Sequence, residues 1–212
     1  MTEPTVYVVD DDGSFLLSMS RWLRASGFAV KTYASASEFL ARQDADDKPG
    51  CVIADLQMPD VGGLDLQVTL AHARDPLPIL FLTGHADTVS TVRAMRGGAE
   101  DFLEKRASKE LLLDAVRRAL ARDERERVAR ARARETSTRF ESLTARERVV
   151  LAHVLQGRLN KQIASDLGIH ERTVKVHRKS IMTKLGVRSV AVLTRLMQEV
   201  GLPMAPVAPT FP

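Results

Sequence analysis

The sequence predicts an α/β domain built on a five-stranded parallel sheet, followed by a smaller all-α domain of four helices. Residues 1–120 alternate short β-type apolar runs with amphipathic helical patterns. Residues 142–201 instead carry four short helical patterns, each ending at a glycine. The length of 212 residues is enough for both units, because a domain commonly has about 100 to 150 residues.

Five apolar runs are the candidate strands of the first domain, at residues 5–9, 29–32, 51–54, 79–82 and 102–103. The first helical pattern between them places Leu16, Met19 and Leu23 at helical spacing and stops at Gly27, since glycine readily adopts the left-handed conformation that ends a helix. Because parallel strands need long crossover connections, this alternation predicts helices on both faces of the sheet. A ligand site is then expected beyond the carboxyl ends of the strands.

A segment rich in arginine, glutamate and alanine joins the two predicted domains. The helical pattern continues from Ser108 to Arg139 without a glycine or proline. A continuous helix of about 30 residues would be about 45 Å long at 1.5 Å per residue. Residues 121–141 are therefore either a solvated linker or a helical spacer. As a spacer, the segment would pair with a partner chain through Val128 and Ala131.

Four helices are predicted in the second domain, at residues 145–156, 161–167, 172–185 and 190–200. The first begins with a capping-box signature, in which the side chains of Thr144 and Glu147 each accept a hydrogen bond from the other residue's backbone N–H. The domain is predicted to span residues 142–201. The tail at 202–212 holds four of the nine prolines and is predicted to be disordered.

The charges are divided unevenly between the predicted domains, although the whole chain has a net charge of +4. Residues 1–120 carry 13 Lys and Arg against 18 Asp and Glu, a net charge of −5. Residues 142–212 carry 11 against 4, a net charge of +7. An acidic module joined to a basic one suggests that the basic module binds a polyanion such as nucleic acid.

Several classes of protein are excluded by the sequence. No apolar run approaches the roughly 18 to 20 residues that cross a bilayer, so no membrane span is predicted. The N-terminal residues lack the basic start and apolar segment of a signal peptide, and we expect a cytoplasmic protein. The single cysteine, Cys51, allows neither an intramolecular disulfide nor a cysteine metal cluster.

Polar residues follow the predicted strands and should meet at one edge of the sheet. The first strand is followed by three consecutive aspartates at 10–12, the third by Asp55, the fourth by Thr83 and the fifth by Lys105. Crowded carboxylates favour a bound divalent cation, and hard oxygen ligands suit Mg²⁺. A carboxylate beside Mg²⁺, with a hydroxyl and an ammonium nearby, can attack a phosphoryl group.

These residues resemble the receiver domain of two-component response regulators. The resemblance covers residues 5–120 and includes the stretch DLQMPD at 55–60. It implies a flavodoxin-like fold with strand order 2-1-3-4-5 and a bound Mg²⁺ cofactor. Asp55 matches the phosphoacceptor, and the implied metal ligands are Asp10, Asp11, Asp55 and the backbone carbonyl of Gln57.

The switch residues of receivers also have counterparts here. Thr83 and Lys105 match the switch hydroxyl and the lysine, and Phe102 occupies the aromatic switch position. The stretches LTGHAD at 82–87 and AMRGGAEDFLEK at 94–105 resemble FixJ-type receivers in particular. One departure is Arg106, because the family has a proline there that follows a cis peptide bond. We expect either a trans bond with an altered loop or a strained cis bond, which costs about 2.5 to 4 kcal/mol before a non-proline residue.

The stretch GIHERTVKVHRK at 168–179 is typical of a helix-turn-helix whose second helix enters the DNA major groove. Helical spacing places an apolar face on one side of this helix, formed by Val174, His177, Ile181 and Leu185. His177 is thus predicted to pack in the core rather than bind a ligand. The opposite side, predicted to meet phosphates and base edges, holds Arg172, Lys175, Val176 and Lys179.

Residues 143–201 resemble the LuxR-type helix-turn-helix domain through LTARE at 143–147, NKQIA at 160–164 and TVKVH at 173–177. The resemblance implies that base-reading or groove-lining positions are Lys175, Val176 and Lys179. Phosphate contacts are expected at Lys161, Arg172 and Arg188, and Thr173 also belongs to the predicted DNA-binding set.

The two resemblances together identify the chain as similar to FixJ/NarL-type transcriptional regulators. They imply phosphorylation of Asp55 by a sensor histidine kinase, dimerisation, binding to double-stranded promoter DNA and contact with RNA polymerase. One alternative is a phosphorylation-independent DNA-binding protein whose receiver serves only as a dimerisation scaffold. Another is a phosphatase or mutase, but such enzymes place a second acid where this chain has Gln57. We therefore expect a regulator rather than an enzyme.

Overall fold

The chain forms two compact units that divide between Val128 and Ala129. The structure, a computed structural model, describes residues 3–41, 49–73, 75–85 and 87–199. The tail at 202–212, predicted to be disordered, lies outside the described residues. No helix in the described part of the chain combines the length and apolar character needed to cross a bilayer.

The first unit is built on a sheet of five parallel strands. These are β1 (Thr5–Val9), β2 (Ala29–Tyr33), β3 (Gly50–Ala54), β4 (Ile79–Thr83) and β5 (Asp101–Glu104). Their order is β2-β1-β3-β4-β5, with Val9 of β1 in register with Tyr33 and Ala54. This confirms the predicted fold class. Because all strands run in one direction, their carboxyl ends meet at one edge of the sheet.

Helices cover both faces of the sheet. They are α1 (Gly13–Ala25), α2 (Ala36–Ala41), α3 (Gly63–Ala71), α4 (Thr88–Arg96) and the start of α5 (Lys109–Glu141). One apolar core lies under α1 and α5 and includes Leu23, Ile53 and Val116. The other lies under α2, α3 and α4 and includes Phe39 and Phe81. Burial on both faces explains why β1, β3 and β4 are continuous apolar runs rather than alternating ones.

The fifth helix, α5, is 33 residues long and continues unbroken through residues 121–141. Within the first unit, its buried Asp123 carboxylate accepts a hydrogen bond of 2.8 Å from the backbone N–H of Gly50, at the start of β3. This contact joins residues 73 positions apart and ties the helix to the amino end of the central strand. Val128, proposed above as a contact for a partner chain, is exposed.

The second unit contains four further helices, α6 (Ala145–Leu155), α7 (Asn160–Leu167), α8 (Glu171–Leu185) and α9 (Val190–Glu199). They confirm the predicted all-α domain, and each helix end lies at the predicted position or one residue from it. The core includes Ile163, Val174, Ile181 and Leu193. His177, predicted to pack in the core, is only half-buried. That expectation was too strong, because this position lies at the edge of the apolar face of α8.

A buried carboxylate links α6 to α8. Glu147 and Thr144 form the predicted capping box, with Thr144 N–H donating to Glu147 over 2.7 Å and Glu147 N–H donating to Thr144 Oγ1 over 3.2 Å. Ser180 Oγ and Lys184 Nζ also donate to Glu147, over 2.6 and 2.7 Å. Hydrogen bonds from Lys184, Ser180 and the Thr144 backbone lower the pKa of Glu147 to about 2.

Replacing this carboxylate should destabilise the second unit in a pH-dependent way. Glu147→Gln weakens bonds to a charged acceptor, and we expect a loss of about 1 to 3 kcal/mol at pH 7. Because the pKa of Glu147 is lowered on folding from 4.5, its contribution is complete above pH 4.5 and is lost as the pH falls towards about 2. The difference in stability of the second unit between wild type and variant should therefore be smaller at low pH.

Thermal unfolding followed by circular dichroism at pH 7 and pH 3 measures this difference. The single tryptophan, Trp22, lies in α1 of the first unit, so its fluorescence serves as an internal control. The fluorescence transition should be the same in wild type and variant. An equal destabilisation at both pH values would contradict the assigned role of the Glu147 carboxylate.

Candidate functional site

The carboxyl edge of the sheet gathers the polar residues that follow the strands. Asp10 directly follows β1, Asp55 follows β3, Thr83 ends β4 and Lys105 follows β5. The side chains of Asp10, Asp55 and Thr83 are buried at this edge. The predicted convergence of strand ends therefore produces a real cluster of polar groups.

Lys105 connects two of these strand ends through its ammonium group. Its Nζ lies 2.6 Å from Asp10 Oδ2 and 2.9 Å from Asp55 Oδ2. The ring of Phe15, on α1, lies under the same ammonium with its centre 4.3 Å away. Burial lowers the pKa of Lys105, but hydrogen bonds to both carboxylates outweigh this and raise it. The lysine is therefore charged at neutral pH.

Three carboxylates at this edge are close enough to share a cation. One oxygen from each of Asp10, Asp11 and Asp55 lies within 4.8 Å of the others. Burial raises the pKa of Asp10 despite the opposing effects of Lys105 and the Asp12 backbone N–H. A second cation beside Lys105 would favour the charged form of Asp10. Hard oxygen donors, with Asp11 exposed to solvent, fit Mg²⁺, which keeps several of its waters.

The remaining residues implied for this site lie around the carboxylates. The backbone N–H of Gln57 lies 3.4 Å from Asp55 Oδ1, and its side chain is exposed. The Thr83 hydroxyl does not bond to Asp55: it donates to the His85 carbonyl over 3.3 Å and lies 3.4 Å from the His85 backbone nitrogen. Phe102 is half-buried, with its ring centre 6.0 Å from that of Phe81.

The peptide bond between Lys105 and Arg106 is trans, since the described residues contain no cis peptide bond. Arg106 replaces the proline of the receiver pattern, and a trans or a strained cis bond was expected before it. The structure has the trans bond. The Lys105 backbone N–H donates to the Thr83 carbonyl over 2.7 Å, which fixes the lysine at the end of β5. Arg106 is exposed and forms an ion pair with Glu104 rather than entering the site.

A glycine that sequence reasoning did not select supports the Asp55 backbone. A Cβ on Gly63, the first residue of α3, would lie 2.4 Å from the Asp55 carbonyl oxygen and 2.9 Å from Phe81 Cε1. No real Cβ atom tolerates such distances, and one of the close atoms is backbone. The paired glycines at 62 and 63, soon after the aspartate, are the only sequence signal for this close approach.

Gly63→Ala should therefore disturb the loop that carries Asp55. We expect a loss of about 2 kcal/mol or more in the stability of the first unit, because the methyl group must displace the Asp55 backbone or the Phe81 ring. Gly62→Ala is the matched control, since its Cβ would find its nearest neighbours at 3.7 Å. Denaturant unfolding followed by Trp22 fluorescence measures both variants, and equal midpoints would contradict the close approach.

A second candidate site lies on the exposed side of α8. The residues predicted to contact DNA on this helix are all exposed: Arg172, Thr173, Lys175, Val176 and Lys179. An open depression of about 670 Å³ lies at the start of the helix and is lined by His170, Glu171, Arg172, Thr173 and Val176. Lys161, on α7, and Arg188, before α9, are also exposed. This surface is basic and accessible, as contact with a polyanion requires.

Family models match both units of the chain. The model described as the response regulator receiver domain matches residues 6–117. The model described as bacterial regulatory proteins of the luxR family matches residues 141–197.

Curated relatives match over nearly the whole chain. Nodulation protein W of Bradyrhizobium diazoefficiens is 40% identical over 201 residues, which cover 95% of this chain and 88% of that protein. Response regulator protein TodT of Pseudomonas putida is 41% identical over 194 residues, covering 91% and 85%. Transcriptional regulatory protein FixJ of Rhizobium meliloti is 38% identical over 196 residues, covering 92% and 96%.

Solved structures show the same combination of units. The response regulator StyR matches with a TM-score of 0.83 and 44% identity, covering 93% of this chain and 100% of that one. Full-length FixJ from B. japonicum matches with a TM-score of 0.57 and 34% identity, covering 96% and 100%.

Proposed function

The chain belongs to the two-component response regulators that join a receiver domain to a LuxR-type DNA-binding domain, and on that premise we propose that Mg²⁺-dependent phosphorylation of Asp55 controls its binding to promoter DNA. The observation that carries the proposal is the position of Lys105 Nζ, 2.6 Å from Asp10 and 2.9 Å from Asp55. A buried acceptor carboxylate, a fixed cation and two further carboxylates form one site.

In the proposed reaction, a carboxylate oxygen of Asp55 attacks the phosphorus of a phosphohistidine on a sensor kinase. A P–O bond forms, the P–N bond breaks, and the histidine nitrogen leaves with the bonding electrons. Asp10, Asp11, Asp55 and the Gln57 carbonyl would hold Mg²⁺, which would supply positive charge to the phosphoryl oxygens. Lys105 is already beside Asp55 and neutralises the same oxygens, so little rearrangement precedes the transfer.

The phosphoryl group changes the hydrogen bonds available to Thr83 and Lys105. It adds a charge of about −1.5 to −2 and three strong acceptor oxygens. The Thr83 hydroxyl, which bonds to His85 before phosphorylation, then has a stronger acceptor within the site. We propose that its movement, with that of Lys105, repacks the loop around half-buried Phe102. That change would expose a dimerisation face or release the DNA-binding domain.

The second unit would then bind promoter DNA through the exposed face of α8. Lys175, Val176 and Lys179 are proposed to meet base edges, while Lys161, Arg172 and Arg188 meet phosphates, with Thr173 beside them. Dimers would read paired half-sites whose spacing follows their two-fold symmetry. We propose a sensor histidine kinase, promoter DNA and RNA polymerase as partners, in the cytoplasm.

One observation favours a second candidate function, a DNA-binding regulator that does not respond to phosphate. Arg106 replaces the proline of the receiver pattern, follows a trans bond and pairs with Glu104 outside the site. In that case the receiver would act only as a dimerisation scaffold, and its switch would not reach the DNA-binding domain.

Titrating a labelled promoter fragment with the full chain separates the two functions. With Mg²⁺ and beryllofluoride, a mimic of the phosphoryl group, we expect about tenfold tighter binding, because allosteric coupling is typically worth 5- to 150-fold. Beryllofluoride without Mg²⁺ is the control and should leave the affinity unchanged. Equal affinity in all conditions would favour the phosphate-independent function.

A further inference from the structure

One carboxylate stands on the basic face of α8 that the proposed function places against DNA. Glu171 is the first residue of the helix and the only acidic residue within it. Its Oε1 lies 3.0 Å from Lys175 Nζ, and both side chains are largely exposed, at 46% and 64%. Glu171 also lines the open depression that it shares with Arg172, Thr173 and Val176. The acid therefore lies among the residues proposed to read bases.

Glu171 stabilises the helix, but it also lies on the side proposed to meet DNA. A pair four residues apart, with the acid nearest the helix start, stabilises a helix modestly on any exposed face. On a face that meets phosphates, however, a carboxylate also repels the ligand and weakens sequence-independent binding. A carboxylate at such a surface favours binding directly where it accepts a hydrogen bond from a base.

The chemistry of the major groove allows one good partner for a carboxylate. Cytosine presents its N4 amino group as a donor with no adjacent acceptor. Adenine also has an amino donor, but its N7 acceptor lies beside it and repels the carboxylate. Guanine and thymine offer only acceptors at this edge. A carboxylate on this face therefore selects cytosine, whereas the neighbouring ammonium of Lys175 selects the acceptors of guanine.

The two charged groups form an ion pair and are therefore close enough to face the same base pair. In a C·G pair, cytosine N4 donates to guanine O6, so these two edge atoms are about 2.9 Å apart. Glu171 Oε1 and Lys175 Nζ are 3.0 Å apart. The acceptor of Glu171 can face the donor of cytosine while the donor of Lys175 faces the acceptor of guanine. Residues in the first turns of a recognition helix are those that reach base edges.

We infer that Glu171 and Lys175 together read one C·G base pair in each half-site, with Glu171 accepting from cytosine N4 and Lys175 donating to guanine O6 or N7. The inference rests on the proposed DNA-binding function and specifies the base pair that it recognises. Glu171 is thus a specificity-determining residue as well as a partner for Lys175.

Selection of bound duplexes from a randomised pool, with the full chain phosphorylated on Asp55 or treated with beryllofluoride, tests the inference. Wild type should select one invariant C·G pair per half-site. Glu171→Gln should shift that position towards A·T by about tenfold, because a glutamine amide pairs with adenine N6 and N7. Glu135→Gln is the matched control, since Glu135 forms an exposed pair four residues from Arg139 on α5, with a 2.6 Å contact. It should leave the selected sequence unchanged.

The possible outcomes separate the inference from the function beneath it. If Glu171→Gln binds DNA and selects the same bases as wild type, Glu171 only stabilises the helix and the inference is wrong. If wild type selects no sequence at all, the proposed DNA-binding function fails, and the inference fails with it. A change at one position that is confined to Glu171→Gln supports both.

Discussion

Asp55→Asn is expected to reduce phosphate incorporation by about 100-fold or more, to the background of the assay. An amide is not nucleophilic enough to attack phosphorus, and no other carboxylate at the site lies at the end of the central strand β3. The full chain is incubated with a small ³²P-labelled phosphodonor and Mg²⁺ and is then separated on a gel run at acid pH. The radioactivity in the protein band measures the incorporation. Omitting Mg²⁺ should reduce labelling of wild type as well.

Asp60→Asn provides a matched control for this substitution. Asp60 lies in the same loop as Asp55, is exposed and has a φ of 65°. Asparagine tolerates that left-handed conformation as well as aspartate does, so the loop should keep its shape. Asp60→Asn should therefore incorporate as much labelled phosphate as wild type. Labelling of Asp55→Asn at the wild-type level would place the phosphoacceptor elsewhere and remove the centre of the proposed function.

The order of elements in the first unit was predictable because buried parallel strands are continuous apolar runs. The ends of those strands were less predictable. For β5, residues 102–103 were predicted, whereas the strand is Asp101–Glu104. Its two end residues are acidic and contribute backbone pairing rather than apolar burial. An apolar pattern detects the buried centre of a strand, but hydrogen bonding in the sheet decides where it ends.

The site was predictable to the extent that it depends on topology. Parallel strands brought Asp10, Asp55 and Lys105 together once the strand ends were known. The bond from Gly50 to Asp123 and the close approach at Gly63 were not predictable, since both depend on how distant segments pack. The hydrogen bond of the Thr83 hydroxyl was not predictable either, because its acceptor, the His85 carbonyl, is placed by the conformation of the turn after β4.

Lys179→Glu is expected to weaken DNA binding by about 100-fold. Lys179 is exposed on the face of α8 proposed to meet DNA, and no acidic side chain pairs with it among the described residues. The substitution removes one favourable interaction with bases or phosphates, worth about 1 to 3 kcal/mol, and adds repulsion from the phosphates. Fluorescence anisotropy with a labelled promoter duplex measures the change, and salt dependence shows its origin. A fall of about one in the slope of log affinity against log salt would assign Lys179 to a phosphate rather than to a base edge.

Arg132→Glu separates this local effect from a change in overall charge. Arg132 is exposed on α5 in the second unit, and its substitution alters the net charge by the same two units. If DNA meets the exposed face of α8, Arg132→Glu should weaken binding less than about threefold, because most of a distant exposed charge is screened beyond about 8 Å at physiological salt. Equal losses from both substitutions would mean that DNA responds only to the net charge of the unit. In that case α8 would not be a recognition helix, and the +7 charge of residues 142–212 would describe a non-specific polyanion surface.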